Sequence, residues 1–353
     1  MFGPKPIRPL RHYILPALFV GSLFVVLIMR REPLSIENVY QGEVMGTYWI
    51  VKIHSHANLE KNTLQKVIQA ELDDINSKMS TYLPDSEISR FNEHASMDVF
   101  PISNKTHAVM KAAQQISKQS QGAFDISIKP LINLWGFGSK PAEEPPTEAD
   151  IALAMGSIGY QKIHLLEKGI RKDSINLQID VSAIAKGYAV DQVAEKLHSL
   201  GHEKYMVDVG GEIRAKGINT KNRAWRIGIE TPDAERGSYT DIIELKDISI
   251  ATSGDYRNFY EQDGKRISHT IDARTGNPIT HRLASVSVLH PSAMMADGWA
   301  TALNVLGPTE AMKLAQKKNL PIMLIIRKEN GEHNIQYSSH FEQYRVKMNS
   351  SME

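Results

Sequence analysis

Three stretches of the chain hold residues whose types and spacing could do chemistry. In the first, Asp180 to Asp191, reading DVSAIAKGYAVD, an extended run passes into a helix. Asp180 supplies a hydrogen-bond acceptor, Ser182 a helix cap, Lys186 a cation one turn in, and Gly187 a place where a second backbone or a ligand can come close. Free N–H groups and the positive end of the helix dipole attract an anion such as phosphate, and the lysine adds a formal charge. An ordinary strand-to-helix turn with a solvated lysine would read the same way. In the second stretch, Asp297 and Thr301 stand four apart on a helix and share a face. A carboxylate and a hydroxyl so placed could hold magnesium, which takes few protein oxygens and keeps waters or phosphate oxygens; the alternative is a solvated aspartate over a packed threonine. In the third, His269 lies in SHTID on the face of Ile271. Histidine is the usual general base near neutral pH, although most of the chain's 13 histidines are expected to be surface or hydrogen-bonded residues. The pair His54 and His56 lacks a nearby carboxylate or third histidine and reads as structural.

The elements that must position these groups follow from hydrophobic period. Ile175, Leu177 and Ile179 alternate with polar residues, which predicts a strand into the first stretch. Val190, Val193, Ala194 and Leu197 then recur at helical spacing up to a cap at Gly201. Earlier, a strand is expected from Glu43 to Ile53, with a bulge or close backbone approach at Gly46. A helix from Leu59 to Ser80 carries Leu64, Val67, Ile68, Leu72, Ile75 and Met79 on its apolar face, and Pro84 stops the helical run. Ser103 is the N-cap of a helix to Gln121, and Thr147 with Asp150 forms a capping box for another up to Gly156. Strands are expected over Met206–Val209, Trp225–Ile229, Ile242–Leu245, Ile248–Thr252, SVSVL and Leu320–Ile326, with MMADGWATALNVLG as a late helix. Short strands with interspersed helices and no regular βαβ repeat predict an α+β fold with largely antiparallel sheets. Met45, Tyr82, Phe124 and Trp135 each have a glycine or proline nearby, which suits side chains lining a pocket for a flat ring.

Composition excludes several classes of function. With no cysteine among 353 residues, disulfides, zinc–thiolate sites, iron–sulfur clusters and thiol nucleophiles are absent. A net charge of +1 supplies no field to gather nucleic acid, so any electrostatic chemistry is local. No Rossmann, P-loop or nucleophile-elbow signature is present. From Tyr13 to Met29 the chain is continuously apolar, flanked by Lys5, Arg8 and Arg11 before and Arg30 and Arg31 after. These residues span about 25 Å as a helix, close to the thickness of a bilayer core, and no small-residue cleavage pattern follows. The reading is a cytoplasmic tail over 1–12, a transmembrane anchor over 13–29, a tether over 30–40 and a catalytic domain over 41–345. The basic flank places that domain on the periplasmic or extracytoplasmic side of the inner membrane.

Assembled in order, VMGTYW, MSTYLPDSEISRFN, GAFDISIKPL, DVSAIAKGYAVD, VDVGGEI, SGDYRNF, SHTIDARTGNP and ADGWATAL make the chain resemble the FAD:protein FMN transferases, the ApbE-type flavin transferase family, over nearly all of residues 40–340. The resemblance implies an ApbE-like fold and an enzyme that cleaves FAD, attaches FMN by a phosphoester to a threonine of a target protein, and releases AMP with Mg²⁺ as cofactor. By motif position, Met45, Tyr82, Ala123, Phe124, Asp125, Asp180, Lys186 and Ile271 match FAD-binding positions. Asp297 and Thr301, with the backbone carbonyls of Ala183 and Ala300, match the magnesium ligands, and His269 matches the group that takes the threonine proton. Lys186 and magnesium together would neutralise charge on the pyrophosphate. Implied partners are flavin-carrying subunits of membrane electron-transfer complexes. Many members are held at the membrane through a modified cysteine, so here the apolar helix would replace that anchor. An FAD pyrophosphatase using water in place of threonine, or a non-catalytic FAD-binding protein, are the alternatives.

Overall fold

The chain enters its sheet through a hairpin. Strands β1 (Ile36–Val44) and β2 (Thr47–Ser55) pair antiparallel with Val44 opposite Thr47, which leaves Met45 and Gly46 as a two-residue turn with φ of 52° and 71°. Consecutive left-handed residues give the turn whose twist matches its strands. The expected bulge at Gly46 is therefore a chain reversal, and β1 reaches back into the stretch read as tether. The inward positions of β1 include Asn38 and Gly42 beside Tyr40 and Val44, so the strand carries no clear apolar alternation. The computed structural model describes residues 18–20, 22 and 35–346, except 58, 139–140, 142–143, 236, 255–258 and 263–264. The anchor expected over Tyr13 to Met29 lies outside the described residues except at 18–20 and 22, and among the described residues no helix is long and apolar enough to cross a membrane.

Helix α1 (Lys61–Met79) buries Leu64, Ile68, Leu72, Ile75 and Met79 along one face. At about 1.5–3 kcal/mol for each large apolar side chain, that stripe and not local propensity fixes the helix to the sheet. Helices α2 (Glu87–Glu93) and α3 (Asn104–Gln119) begin at Ser86 and Ser103, whose side chains accept from the N–H groups of Ser89 and Thr106. A short 3-10 turn at Ile126–Ile128 leads into α4 (Lys129–Leu134), and α5 (Glu148–Ser157) opens on the expected box of Thr147 and Asp150. The hairpin β3 (Ile163–Leu166) and β4 (Gly169–Lys172) follows.

The strand expected over 175–179 does not form. Buried Lys172 donates to the carbonyls of Phe91, Ile175 and Leu177 at 3.3, 3.1 and 3.1 Å, and the Asn92 amide brackets Ile179 on both its N–H and its carbonyl. Backbone groups that a ladder would pair are taken by side chains. Burial, with no carboxylate partner among the described residues, pushes the Lys172 ammonium below the ordinary lysine value. Helix α6 (Ser182–Ser199) then starts one residue earlier than a Ser182 cap would allow. Ser182 is its first residue and donates its N–H to Asp180 Oδ1 at 2.9 Å, so the aspartate does the capping.

The remaining strands are β5 (Tyr205–Val209), β6 (Glu212–Lys216), β7 (Trp225–Glu230), β8 (Tyr239–Leu245), β9 (Ile248–Gly254), the small hairpins β10 (Phe259–Gln262) with β11 (Lys265–Ser268) and β12 (Ile271–Asp272) with β13 (Asn277–Pro278), and β14 (Leu283–His290). Helix α7 (Ala293–Lys318), β15 (Ile322–Arg327) and β16 (His333–Tyr337) complete the chain. The main sheet has eight strands in the order β1-β2-β5-β6-β9-β14-β15-β16, with every neighbouring pair antiparallel. This is the α+β arrangement that the pattern of elements predicts. Val207, Val209, Val286, Val288, Ile322 and Leu324 face the helices, while Met206, Ile213, Ile250, Leu289, Met323 and Ile325 face the β7–β8 hairpin. Covering both faces explains why the central strands are apolar without alternation. Helix α7 is broken at Gly307, where φ is 74° and ψ 172°, and resumes at Pro308.

Candidate active site

Two helices form the floor of the site, and a glycine sets their distance. A Cβ on Gly187 of α6 would lie 2.3 Å from the carbonyl oxygen of Ala293 and 2.7 Å from Cβ of Asp297, so α7 approaches to a separation that only glycine permits. The Gly187 N–H donates to Asp297 Oδ2 at 2.9 Å. Asp191, one turn further along α6, accepts from Ser292 Oγ and from the N–H groups of Ala293 and Met294, and pairs with Arg214 at 2.9 Å. One buried carboxylate thus caps α7 and welds it to α6. Asp297 and Thr301 do lie on one face of α7. Asp297 is 4% exposed, and Thr301 Oγ1 shares a hydrogen bond of 3.0 Å with Ser253 Oγ on β9.

Opposite α7 stands the turn Gly210–Gly211, with φ of 61° and 98°, which carries the chain from β5 to β6. It aims Glu212 at Lys186, with Oε1 2.6 Å from Nζ. Burial would push the Lys186 ammonium down, but the charges of Glu212 and Asp297 outweigh burial and hold it above the ordinary lysine value. Desolvation raises both carboxylates: Glu212, despite the ion pair with Lys186, and Asp297, despite Lys186 and the Gly187 N–H. Asp208, which accepts from the Gly211 N–H, is pushed up to about 6 by burial.

A third wall gathers at the entrance to α6. Asp180 accepts from Ser182 N–H and from Thr81 Oγ1, and lies 3.3 Å from the ammonium of Lys129, which stands 5.9 Å from the ring centre of exposed Tyr82. Asp125 accepts from Ser127 N–H and Oγ in its own turn and from the distant Tyr160 N–H, and burial raises it above the ordinary carboxylate value. His269 is half-buried, with its ring edge-on to Phe137 at 6.3 Å.

These walls enclose a cavity of about 1040 Å³ lined by Tyr82, Ala123, Phe124, Asp125, Asp180, Ala183, Lys186, His269, Ile271, Asp297 and Thr301. The fold thus brings together most of the residues singled out in the sequence. Met45 is not among the lining residues; it sits at the β1–β2 turn and packs on the main core. Ala300 is fully buried within α7 and is also not a lining residue. Trp135, considered for the pocket, belongs instead to a small separate cluster and donates its indole N–H to Gly276. His54 donates its Nδ1–H to the Ile218 carbonyl, and among the described residues no group of three His, Asp or Glu side chains could hold a metal. Glu212, Asp208, Lys129 and Asp191 were not legible as site residues. Only VDVGGEI carried a local signal, the glycine pair that turns Glu212 inward.

The structure is thus an antiparallel α+β domain whose cavity is walled by a lysine, buried carboxylates and a helix start. The ApbE family profile matches residues 45–324. The FAD:protein FMN transferase of Vibrio cholerae is 43% identical over 292 residues, covering 82% of this chain and 87% of that protein, and its namesake in Haemophilus influenzae is 42% identical over 299 residues, covering 82% and 86%. Among solved structures, the flavin transferase ApbE of Vibrio cholerae superposes with a TM-score of 0.81 at 40% identity, covering 88% of this chain and 99% of that one. The ApbE protein of Thermotoga maritima does so with a TM-score of 0.78 at 26% identity, covering 88% and 100%. The chain belongs to the ApbE family.

Proposed function

We propose that this chain transfers the FMN half of FAD to a threonine hydroxyl of a target protein and releases AMP. The observation that carries the reading is the juxtaposition, in one cavity, of a buried oxygen-donor face on α7, the Lys186–Glu212 pair and His269. The residues fit a magnesium ion. Every donor on that face is an oxygen, and among the described residues the buried Asp297 and Glu212 carboxylates face a single lysine, leaving a demand for positive charge. Asp297 and Thr301 would hold it, with the carbonyls of Ala183 and Ala300 as further donors. When bound, magnesium supplies Lewis-acid neutralisation of the pyrophosphate oxygens.

The protein's own groups do the rest. The N–H groups at the start of α6 favour the anionic ligand, and Lys186 adds charge to the same wall. His269 accepts the proton of the threonine hydroxyl through an unprotonated ring nitrogen. The threonine oxygen forms a bond to the phosphorus of the FMN half as the bond from that phosphorus to the bridging oxygen breaks, and AMP leaves with the bridging oxygen. Held reactants gain from orientation as much as from charge. The apolar run from Tyr13 to Met29 supports an anchor that keeps the domain at the outer face of the inner membrane, beside flavin-carrying subunits of electron-transfer complexes.

Incubation of residues 31–353 with FAD, Mg²⁺ and a threonine-bearing peptide, read by intact mass, tests this. A magnesium-dependent gain of FMN on the peptide is expected. Free FMN and AMP without labelling would replace the reading with a pyrophosphatase, and intact FAD that stays bound would replace it with a carrier.

A further inference from the structure

We propose that Glu212 is a positioning residue that takes Lys186 as its own counter-ion and thereby leaves the Asp297 carboxylate available to a divalent cation. The inference rests on the reading of Asp297 and Thr301 as cation ligands. Lys186 precedes Gly187, whose N–H bonds to Asp297, so the ammonium and the Asp297 carboxylate belong to the same α6–α7 contact. Left to themselves, two such buried opposite charges would close on each other, and an ammonium seated on Asp297 would oppose a dication there. Glu212 decides that competition. It is 2% exposed at the first position of β6, its Oε1 lies 2.6 Å from Nζ, and its Oε2 has no hydrogen-bond partner among the described residues. Lys186 is the one ion-pair partner of Glu212 among the described residues, whereas Asp297 already holds the Gly187 N–H. Losing the lysine would strand Glu212 as an uncompensated buried charge, so the ammonium stays on β6. The rigid turn at Gly210–Gly211, with the Gly211 N–H tied to Asp208 Oδ1, fixes where that carboxylate stands.

The test is Mn²⁺ binding to the full chain, measured by electron paramagnetic resonance without FAD, for the natural protein, Glu212→Gln, Lys186→Met and the double variant. Glu212→Gln keeps the shape and an acceptor for the lysine but loses the charge, so Lys186 turns to Asp297 and Mn²⁺ affinity falls at least about tenfold. Removing Lys186 in the same background restores affinity to within about threefold, a rescue that a purely structural role for Glu212 would not give. Should Glu212→Gln fail to fold, Glu212→Asp, whose shorter side chain withdraws the carboxylate from Lys186, takes its place in the same comparison. Unchanged Mn²⁺ affinity in Glu212→Gln, a double variant no better than the single one, or no Mn²⁺ uptake by the natural protein would overturn the proposal. Peptide labelling is scored separately: its absence with this Mn²⁺ pattern intact would sink the transferase reading and leave the role of Glu212 standing.

Discussion

Gly187→Ala is the smallest change that should disable the site without touching a charged group. The added Cβ would stand 2.3 Å from the Ala293 carbonyl oxygen, 2.7 Å from the Ala293 carbonyl carbon and 2.7 Å from Cβ of Asp297. These contacts are roughly 1 Å inside ordinary van der Waals separation, and two of the three are with backbone that cannot rotate away. Relief requires α6 and α7 to part. Overpacking of this kind costs about 1–3 kcal/mol, and here the upper end applies because Asp191 and Asp297 both lose their alignment across the contact. Alanine recovers about 1 kcal/mol of helix propensity, so the net loss is about 2 kcal/mol. For a protein of this size that is a fall in Tm of about 3 °C, with Mn²⁺ affinity falling alongside. The control is Gly201→Ala, where φ is +87° and nothing lies within 4 Å of the new Cβ; its cost of about 1 kcal/mol is local, and Mn²⁺ binding should be untouched. Thermal melts read by circular dichroism, paired with Mn²⁺ titration, decide the matter. A Gly187→Ala protein that melts within 1 °C of its parent, at full Mn²⁺ affinity, would refute the close-approach argument.

Asp191→Ala removes the acceptor for three groups at the start of α7 and leaves Arg214 to Glu195 alone, and should cost about 2–3 kcal/mol in denaturant melts, with Asn recovering part of it. Asp297→Ala should abolish peptide labelling, whereas His269→Ala should abolish labelling but spare FAD binding, as followed by quenching of flavin fluorescence; labelling retained by either variant counts against its assigned role. Asp208 should impose a pH dependence on stability. Its folded value of about 6 lies above the ordinary 3.8, so between these the folded protein keeps a proton the unfolded chain has lost. The contribution is complete below about pH 4 and is lost as pH rises through 6, by ~3 kcal/mol at most, and Asp208→Asn should flatten that slope in melts taken across the window.

Much of this was legible because it is local. The caps at Ser103 and Thr147, the turn at Gly210–Gly211 and the pairing of Asp297 with Thr301 on one face depend on neighbours a few residues apart. Gly187 was legible as a close approach, though not as an approach to Ala293. What stayed hidden depends on distant partners. The alternation of Ile175, Leu177 and Ile179 imitates a strand, yet Lys172 and Asn92 take its backbone groups, and no period in the sequence records that competition. Glu212 opens a strand that no expected element covers, and only the pairing of β5 with β6 beside α6 turns it onto Lys186. Lys129 and Arg214 are cations of no distinction until Asp180 and Asp191 are placed beside them.

The break in α7 at Gly307 separates heredity of length from heredity of function. An uninterrupted helix transmits each inserted or deleted residue as a rotation of about 100° along its whole face. Here the turn that holds Asp297 and Thr301 ends before Gly307, and the following segment starts afresh at Pro308. A change of length between Pro308 and Lys318 therefore leaves the bearing of the oxygen donors alone and is felt instead at Ala311 and Ala315, which that half of the helix buries in the core.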